Sequence, residues 1–389
     1  MTPRERGAVA ALAGIFSTRL LGLFLILPVF ALYAETLEGY TPFLAGFALG
    51  AYGLSQACLQ LLFGMASDRL GRKPVIAAGL VLFAIGSAVA ALADSMVGVI
   101  IGRIVQGAGA IGAPVIALVA DATREQHRTR AMAIIGITVG ASFLASILLG
   151  PALDSLIGVP GIFWLTAGLG LAGLVILWVA VPSPAHPRHH ADVNPGSGKF
   201  FTLLREGALL RLNIGIFILH AVLTAMFVVL PGALVRFAGL PASEHSNLYL
   251  PIMLVSAAGL FPLLTLSERR GWQRQVFAGA VLILGVAQVL LYLDHKSLLG
   301  IGVGLLFFFA AFNVLEASLP SLVSKTAPAN AKGTAIGIYS TFQFLGAAAG
   351  GAAGGWAHGR YGMHTVFGGA AVAIGLWFLL TLRARARQR

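Results

Sequence analysis

What most constrains this chain is a series of apolar runs, each about 20 residues or longer, that recurs from one end to the other. Wound as a helix, such a run matches the ~30 Å hydrocarbon core of a bilayer, where only helices and closed barrels satisfy every backbone polar group. Twelve runs fall near 8–33, 43–66, 75–93, 97–120, 131–153, 161–181, 212–235, 246–267, 275–293, 297–323, 333–356 and 363–382. The composition agrees, since 58% of the 389 residues are hydrophobic and 10% are charged, which excludes a water-soluble domain. The expected fold class is an all-α membrane protein with twelve transmembrane helices.

The net charge of +12 argues topology rather than nucleic acid, because the basic residues sit in short loops between apolar runs and form no polar face. With both termini and the even-numbered loops on one side, Arg236, Lys296 and Arg360 are the basic loop residues left on the other, and Arg19 and Arg103 lie inside runs. The positive-inside rule then puts both termini in the cytoplasm, in a cell inner membrane. The short basic start, Met1 to Arg6, leads into a run too long for a removable signal peptide. The one cysteine, Cys58, lies in an apolar run and makes no internal disulfide.

The long connection at 182–211 carries Pro, Gly and His residues, then an amphipathic piece around 200–210. It reads as a cytoplasmic linker dividing a six-helix bundle at 1–181 from a second at 212–389 with a short basic tail. The halves echo each other: Ser67-Asp68-Arg69-Leu70-Gly71-Arg72 has a decayed copy in Ser267-Glu268-Arg269-Arg270-Gly271-Trp272. Parallel six-helix repeats of this kind occur in secondary transporters.

No catalytic constellation is present in the sequence. His189 and His190 lack Cys or carboxylate partners at metal spacing, and no phosphate-cradling Gly-Lys-Ser/Thr loop occurs. The expectation is therefore no metal, no cofactor and no enzymatic activity, with energy drawn from a gradient.

Ionisable residues inside runs are costly in lipid and mark candidate sites. Glu316 lies about seven residues inside the tenth run, roughly 10 Å deep at 1.5 Å per residue, and His220 about nine residues past Arg211, roughly 13 Å deep. At matched depth they form either a proton-exchanging pair or a static hydrogen bond between helices. Arg19 and Arg103 are permanent cations that need an acceptor in lipid, so each is either functional or held in a structural pair with carbonyls or a carboxylate.

The stretch 64–74 reads Gly-Met-Ala-Ser-Asp-Arg-Leu-Gly-Arg-Lys-Pro between two runs. Gly64 allows close helix approach, Asp68 and Arg69 end one run, Gly71 permits the turn, and Arg72 and Lys73 hold the loop inside. This stretch resembles motif A of major facilitator superfamily transporters. Arg103-Ile-Val-Gln106-Gly107-Ala-Gly109 resembles motif B, whose arginine the family links to proton movement. Gly136, Gly140, Gly150 and Pro151 resemble the antiporter motif C, although Leu153 and Asp154 stand where that pattern continues with glycines. Arg19 to Pro28, Thr123 to Arg130, Phe312 to Ala317 and Tyr339 to Gly346 extend the likeness to the YajR-like branch of the twelve-helix drug:proton antiporters. The branch's best-known member adds a soluble domain after the last helix, and regulation through such a domain is expected to be absent here.

The resemblance implies a major facilitator fold, two six-helix bundles around a cavity lined by the first, fourth, seventh and tenth helices, with Phe24, Tyr33, Phe227, Phe308 and Asn313 as cavity candidates. It implies proton-coupled efflux of hydrophobic or amphipathic small molecules by a monomer in the lipid bilayer. It further implies that motif A is a conformational latch: Arg72 and Asp121 form an ion pair that holds Asp68 for docking at the start of the eleventh helix. Two rival readings stand beside this one, an exporter of sugars or other polar metabolites and a non-transporting receptor or lipid-binding protein on the same scaffold.

Overall fold

The computed structural model describes residues 1–182, 197–328 and 331–386. His189 and His190 lie outside them. The helices in chain order are α1 (Pro3–Phe24), α2 (Phe30–Ala34), α3 (Pro42–Leu70), α4 (Arg72–Ala91), α5 (Met96–Ala108), α6 (Gly112–Ala122) and α7 (Glu125–Val179), followed by α8 (Ser197–Arg205), α9 (Gly207–Arg236), α10 (His245–Arg269), α11 (Gln273–Leu293), α12 (Leu298–Thr326), α13 (Lys332–Tyr361) and α14 (Met363–Ala386). No β-strand occurs among the described residues, where an isolated bridge joins Glu38 to Ser95. The chain is thus an all-α protein.

Ten helical stretches among the described residues are long and apolar enough to cross a membrane. The twelve runs read from the sequence differ from these ten in two places. α7 is a 55-residue stretch covering the expected fifth and sixth runs, interrupted where Gly158 takes φ +69° just ahead of Pro160. α13 has the length, at 30 residues, but its Gly, Ser, Thr and Gln content lowers its hydropathy and it is not among the ten.

Two further runs are broken where one helix was expected. The first ends at Phe24, because Pro28 brings no backbone N–H; the chain turns through Ile26 and Val29 and restarts as α2. The fourth separates into α5 and α6 at Gly109, where Ile111 N–H bonds the Gly109 carbonyl at 2.8 Å. Pro114 cannot donate to the carbonyl of Ala110, so the helix restarts rather than continues.

By Cα proximity the chain forms two compact units, Met1–Tyr40 with Ala51–Asn194 and Thr41–Gly50 with Pro195–Arg389. In the first, α1 packs on α7 and α4 packs on α5 and α7, around a core that includes Leu12, Ile15, Ile76, Leu80, Val115 and Leu118. In the second, α9 lies along α13, while α11 contacts α12 and α14.

In lipid, burial of apolar surface gives little drive for helices to associate, and close backbone approach takes its place. α13 shows this directly. Gly346, Gly350 and Gly354, four residues apart, face Phe217, Ala221 and Ala225 of α9, and a Cβ on the first two would collide with the carbonyl oxygens of Phe217 and Ala221. Its other face takes the first residues of α3: a Cβ on Gly46 would collide with the Gly351 carbonyl, and one on Gly50 would lie 2.7 Å from Ala348 Cα. Gly136 and Gly140 behave otherwise. A Cβ on either meets nothing within 4 Å, while a Cβ on Gly150 would sit 2.6 Å from the Leu25 carbonyl.

The sequence echo has a structural counterpart. Gly71 (φ +95°) joins α3 to α4 and Gly271 (φ +69°) joins α10 to α11, both in the left-handed region that glycine tolerates. One turn before each, a serine hydroxyl donates back to a carbonyl, Ser67 to Gly64 at 2.8 Å and Ser267 to Leu264 at 2.7 Å.

Candidate functional site

Three polar clusters gather the residues singled out in the sequence, two in the first unit and one in the second. The first grows from the α3–α4 turn. Because Gly71 reverses the chain within one residue, Arg72 at the start of α4 folds back over the end of α3, where its guanidinium pairs with Asp68 and donates to Ser67 Oγ at 2.7 Å. Its Nε also faces Asp121 Oδ2 of α6 at 3.4 Å. One buried cation thus ties three helix ends through two carboxylates. Arg69 is exposed, and the Lys73 ammonium lies 5.5 Å from the Trp178 ring centroid. A Cβ on Gly64 would meet Ala113 Cβ at 3.6 Å, an ordinary contact that an alanine would tolerate.

Thr2 and Glu5 form a capping box at the start of α1, and Glu5 also accepts hydrogen bonds from Arg124 N–H and Nε, both at 3.0 Å. That carboxylate holds the loop guanidinium of Arg124 above its ordinary pKa. The sequence reading did not anticipate the clamp, because its two residues are 119 positions apart.

The second cluster places Arg19 of α1 and Arg103 of α5 on one tyrosine. Their guanidinium carbons lie 5.5 and 4.9 Å from the ring centroid of Tyr52 on α3. Arg19 Nη2 donates to Gln56 Oε1, one turn along α3. Arg103 Nη1 donates to Gln106 Oε1 at 2.6 Å and to the Gly22 carbonyl at 3.4 Å, and Gln106 in turn donates to Ser87 Oγ at 2.8 Å. The motif B glycines let these helices close up: a Cβ on Gly107 would collide with the Tyr52 carbonyl, and one on Gly109 with the Gly79 carbonyl.

The third cluster joins three helices of the second unit. Gln343 of α13 stands between His220 of α9 and Glu316 of α12, with its Nε2 at 2.9 Å from His220 Nε2 and 3.2 Å from Glu316 Oε1. The Gln343 amide nitrogen donates to Glu316 Oε1, and where it also donates to His220 Nε2 the imidazole is in its neutral, accepting form. Glu316 Oε2, which has no hydrogen-bond partner, lies 3.9 Å from the same imidazole nitrogen. His220 is buried and its ring lies 5.8 Å from that of Phe312, while the Glu316 side chain keeps 29% exposure. One turn of α12 away, Asn313 donates to Ser256 of α10 at 3.2 Å. Reading the sequence for ionisable residues alone missed Gln343, although a glutamine inside an apolar run carries much the same signal.

The expected aromatic contacts are scattered. Phe24 meets Phe143 edge-on at 5.1 Å, and Tyr33 lies 6.2 Å from Phe30 in α2. Phe227 and Phe308 are fully buried in the second unit, Phe308 against Phe309 and Phe312, and present no surface to a ligand in this structure. No group of three or more His, Cys, Asp or Glu side chains placed to hold a metal occurs among the described residues.

Comparison with known proteins gives this geometry its context. The family model described as Major Facilitator Superfamily matches residues 12–351. The Inner membrane transport protein YajR of Escherichia coli is 44% identical over 378 residues, 97% of this chain and 83% of that protein. The Multidrug resistance protein MdtH of Aeromonas salmonicida is 26% identical over 86% of this chain and 82% of its own. Among solved structures, a bacterial homolog of the human lysosomal transporter Spinster, in an inward-facing and occupied conformation, superposes with a TM-score of 0.82 at 16% identity, covering 98% of both chains. With the family model spanning most of its length and a relative this similar, the chain belongs to the Major Facilitator Superfamily and is a membrane transport protein, not an enzyme.

Proposed function

We propose that this transporter exports hydrophobic or amphipathic small molecules across the inner membrane by alternating access, driven by the proton gradient and acting as a monomer. The observation that carries the reading is the cluster of His220, Gln343 and Glu316, which joins α9, α12 and α13. A carboxylate with one oxygen unpartnered beside a neutral imidazole is a place where a proton binds and leaves. Its gain or loss changes which hydrogen bonds link the three helices, and a proton gradient thereby biases one packing over another. The names of two relatives, an inner membrane transport protein and a multidrug resistance protein, support the location and the substrate class. The side of the membrane follows from the Lys and Arg distribution, which favours cytoplasmic termini.

The Arg72, Asp68 and Asp121 cluster serves in this scheme as a conformational latch at the ends of α3, α4 and α6. Arg19, Arg103 and the motif B residues accompany proton movement in the first unit. Reconstitution in vesicles tests the reading. An imposed pH gradient should drive accumulation of lipophilic dyes or drugs, with proton movement in the opposite direction on substrate addition. Accumulation that ignores the gradient would remove the proton coupling, and binding without any accumulation would favour the receptor reading.

A further inference from the structure

Two permanent cations sit on Tyr52 in the first unit, and among the described residues no carboxylate is paired with either. Arg103 is 0% exposed and Arg19 is 2% exposed. No Asp or Glu lies within ion-pairing distance of either among the described residues. A desolvated guanidinium is expensive unless it is paired and hydrogen-bonded, and one aromatic ring shared by two of them supplies only part of the compensation.

The unsatisfied donors are not scattered. On Arg103, Nη1 is occupied by Gln106 and Gly22, while Nε and Nη2 have no partner. Those two nitrogens form one edge of the planar group, the edge that takes a two-oxygen anion with parallel hydrogen bonds. Arg19 repeats the pattern in part: Nη2 is held by Gln56 and Nε is free. Gln56, Gln106 and Ser87 fix the guanidinium groups from the sides already used, and Tyr52 floors both. What remains is a pre-oriented set of donors carrying two positive charges.

We propose that Arg19 and Arg103 form a binding site for a small monovalent anion, with a carboxylate group as the best geometric fit to the free edge of Arg103. The carboxylate comes from a transported solute or from the medium, and a halide offers the same charge without the two-oxygen geometry. The inference does not depend on proton coupling, because it concerns binding to the protein at rest.

The test uses the purified full chain in detergent. Thermal unfolding is followed while sodium acetate or sodium chloride is titrated in, with ionic strength held constant by a bulky sulfonate salt. The expected result is a saturable rise in unfolding temperature with acetate, since a ligand bound only by the folded state stabilises it by mass action. In Arg103→Gln and Arg19→Gln the titration should shift by roughly tenfold or disappear. Arg103→Lys, which keeps the charge and loses the edge, should weaken acetate more than chloride. Saturation by chloride alone would keep the anion site and reject the carboxylate. Titrations that fail to saturate with both salts, or that are unchanged in the variants, would overturn the proposal. Should the glutamine variants not fold, the wild-type protein still decides: carbon-13-labelled acetate must show a bound carboxylate stretch distinct from the free ion, and its absence at saturating acetate removes the carboxylate site.

Discussion

His220 Nε2 stands 3.9 Å from Glu316 Oε2, too far for a good hydrogen bond, and Gln343 reaches both residues with one amide nitrogen. The pair is therefore coupled through a third helix. Moving a proton onto either residue changes what Gln343 can do: a protonated imidazole no longer accepts from the amide, and a protonated carboxyl becomes a donor at Oε2.

Glu316→Gln keeps the shape of the side chain and an acceptor oxygen but removes the exchangeable proton. Uphill accumulation in reconstituted vesicles should fall to background across about pH 6 to 8, the range in which histidine ordinarily titrates. Downhill exchange should persist. Pumping at the wild-type level over that range would rule the carboxylate out of the coupling step.

Gln343→Ala leaves His220 and Glu316 in place and removes the group between them. Buried His220 loses a hydrogen-bond partner at a cost of about 1–3 kcal/mol, and the partly exposed Glu316 loses less. Thermal unfolding in detergent should report a lower midpoint, and the pH profile of transport should move relative to wild type. A variant as stable as the parent with the same profile would show that the bridge is incidental.

At the α3–α4 turn Arg72 holds two carboxylates, so removing one leaves the other. Asp68→Asn or Asp121→Asn should cost the cluster about 1 kcal/mol, and a change of that size alters the ratio of two near-balanced states roughly fivefold. Spin labels near Leu70 and near Lys332 would read the ratio as a distance distribution. The same distribution in both variants and in wild type would leave these charges with a topological role alone.

The packing of α13 predicts a contrast among glycines. Gly46→Ala and Gly351→Ala place a methyl against a backbone carbonyl, in Gly351 and Gly46 respectively, and should destabilise the protein by about 1–3 kcal/mol. Gly136→Ala and Gly140→Ala meet no neighbour and should stay within about 0.5 kcal/mol of wild type. Unfolding midpoints that fail to separate the two groups would mean that α3 and α13 part at little cost.

Much of this architecture was legible because lipid leaves the chain few options. Apolar length and basic loops identified an all-α membrane protein, since unsatisfied backbone in hydrocarbon is forbidden and Lys or Arg resists translocation. Rare charges in apolar runs pointed to Glu316, His220, Arg19 and Arg103 for the same reason. The motif A loop was legible down to its turn, because Gly71 and Arg72 are neighbours and their geometry is local.

What the sequence could not decide was which distant side chains meet. Depth along a helix placed Glu316 and His220 at one level, but only the rotation and packing of α9, α12 and α13 brought Gln343 between them. The same holds for Arg19 and Arg103, whose sequence positions give no hint that Tyr52 underlies both. Breaks within runs at Pro28 and Gly109 were likewise invisible to hydropathy, which averages over a window and does not register one missing N–H. Composition fixes what the solvent will tolerate, while side-chain meeting is set by helix rotation and close approach, which depend on pairs of surfaces that no one segment encodes.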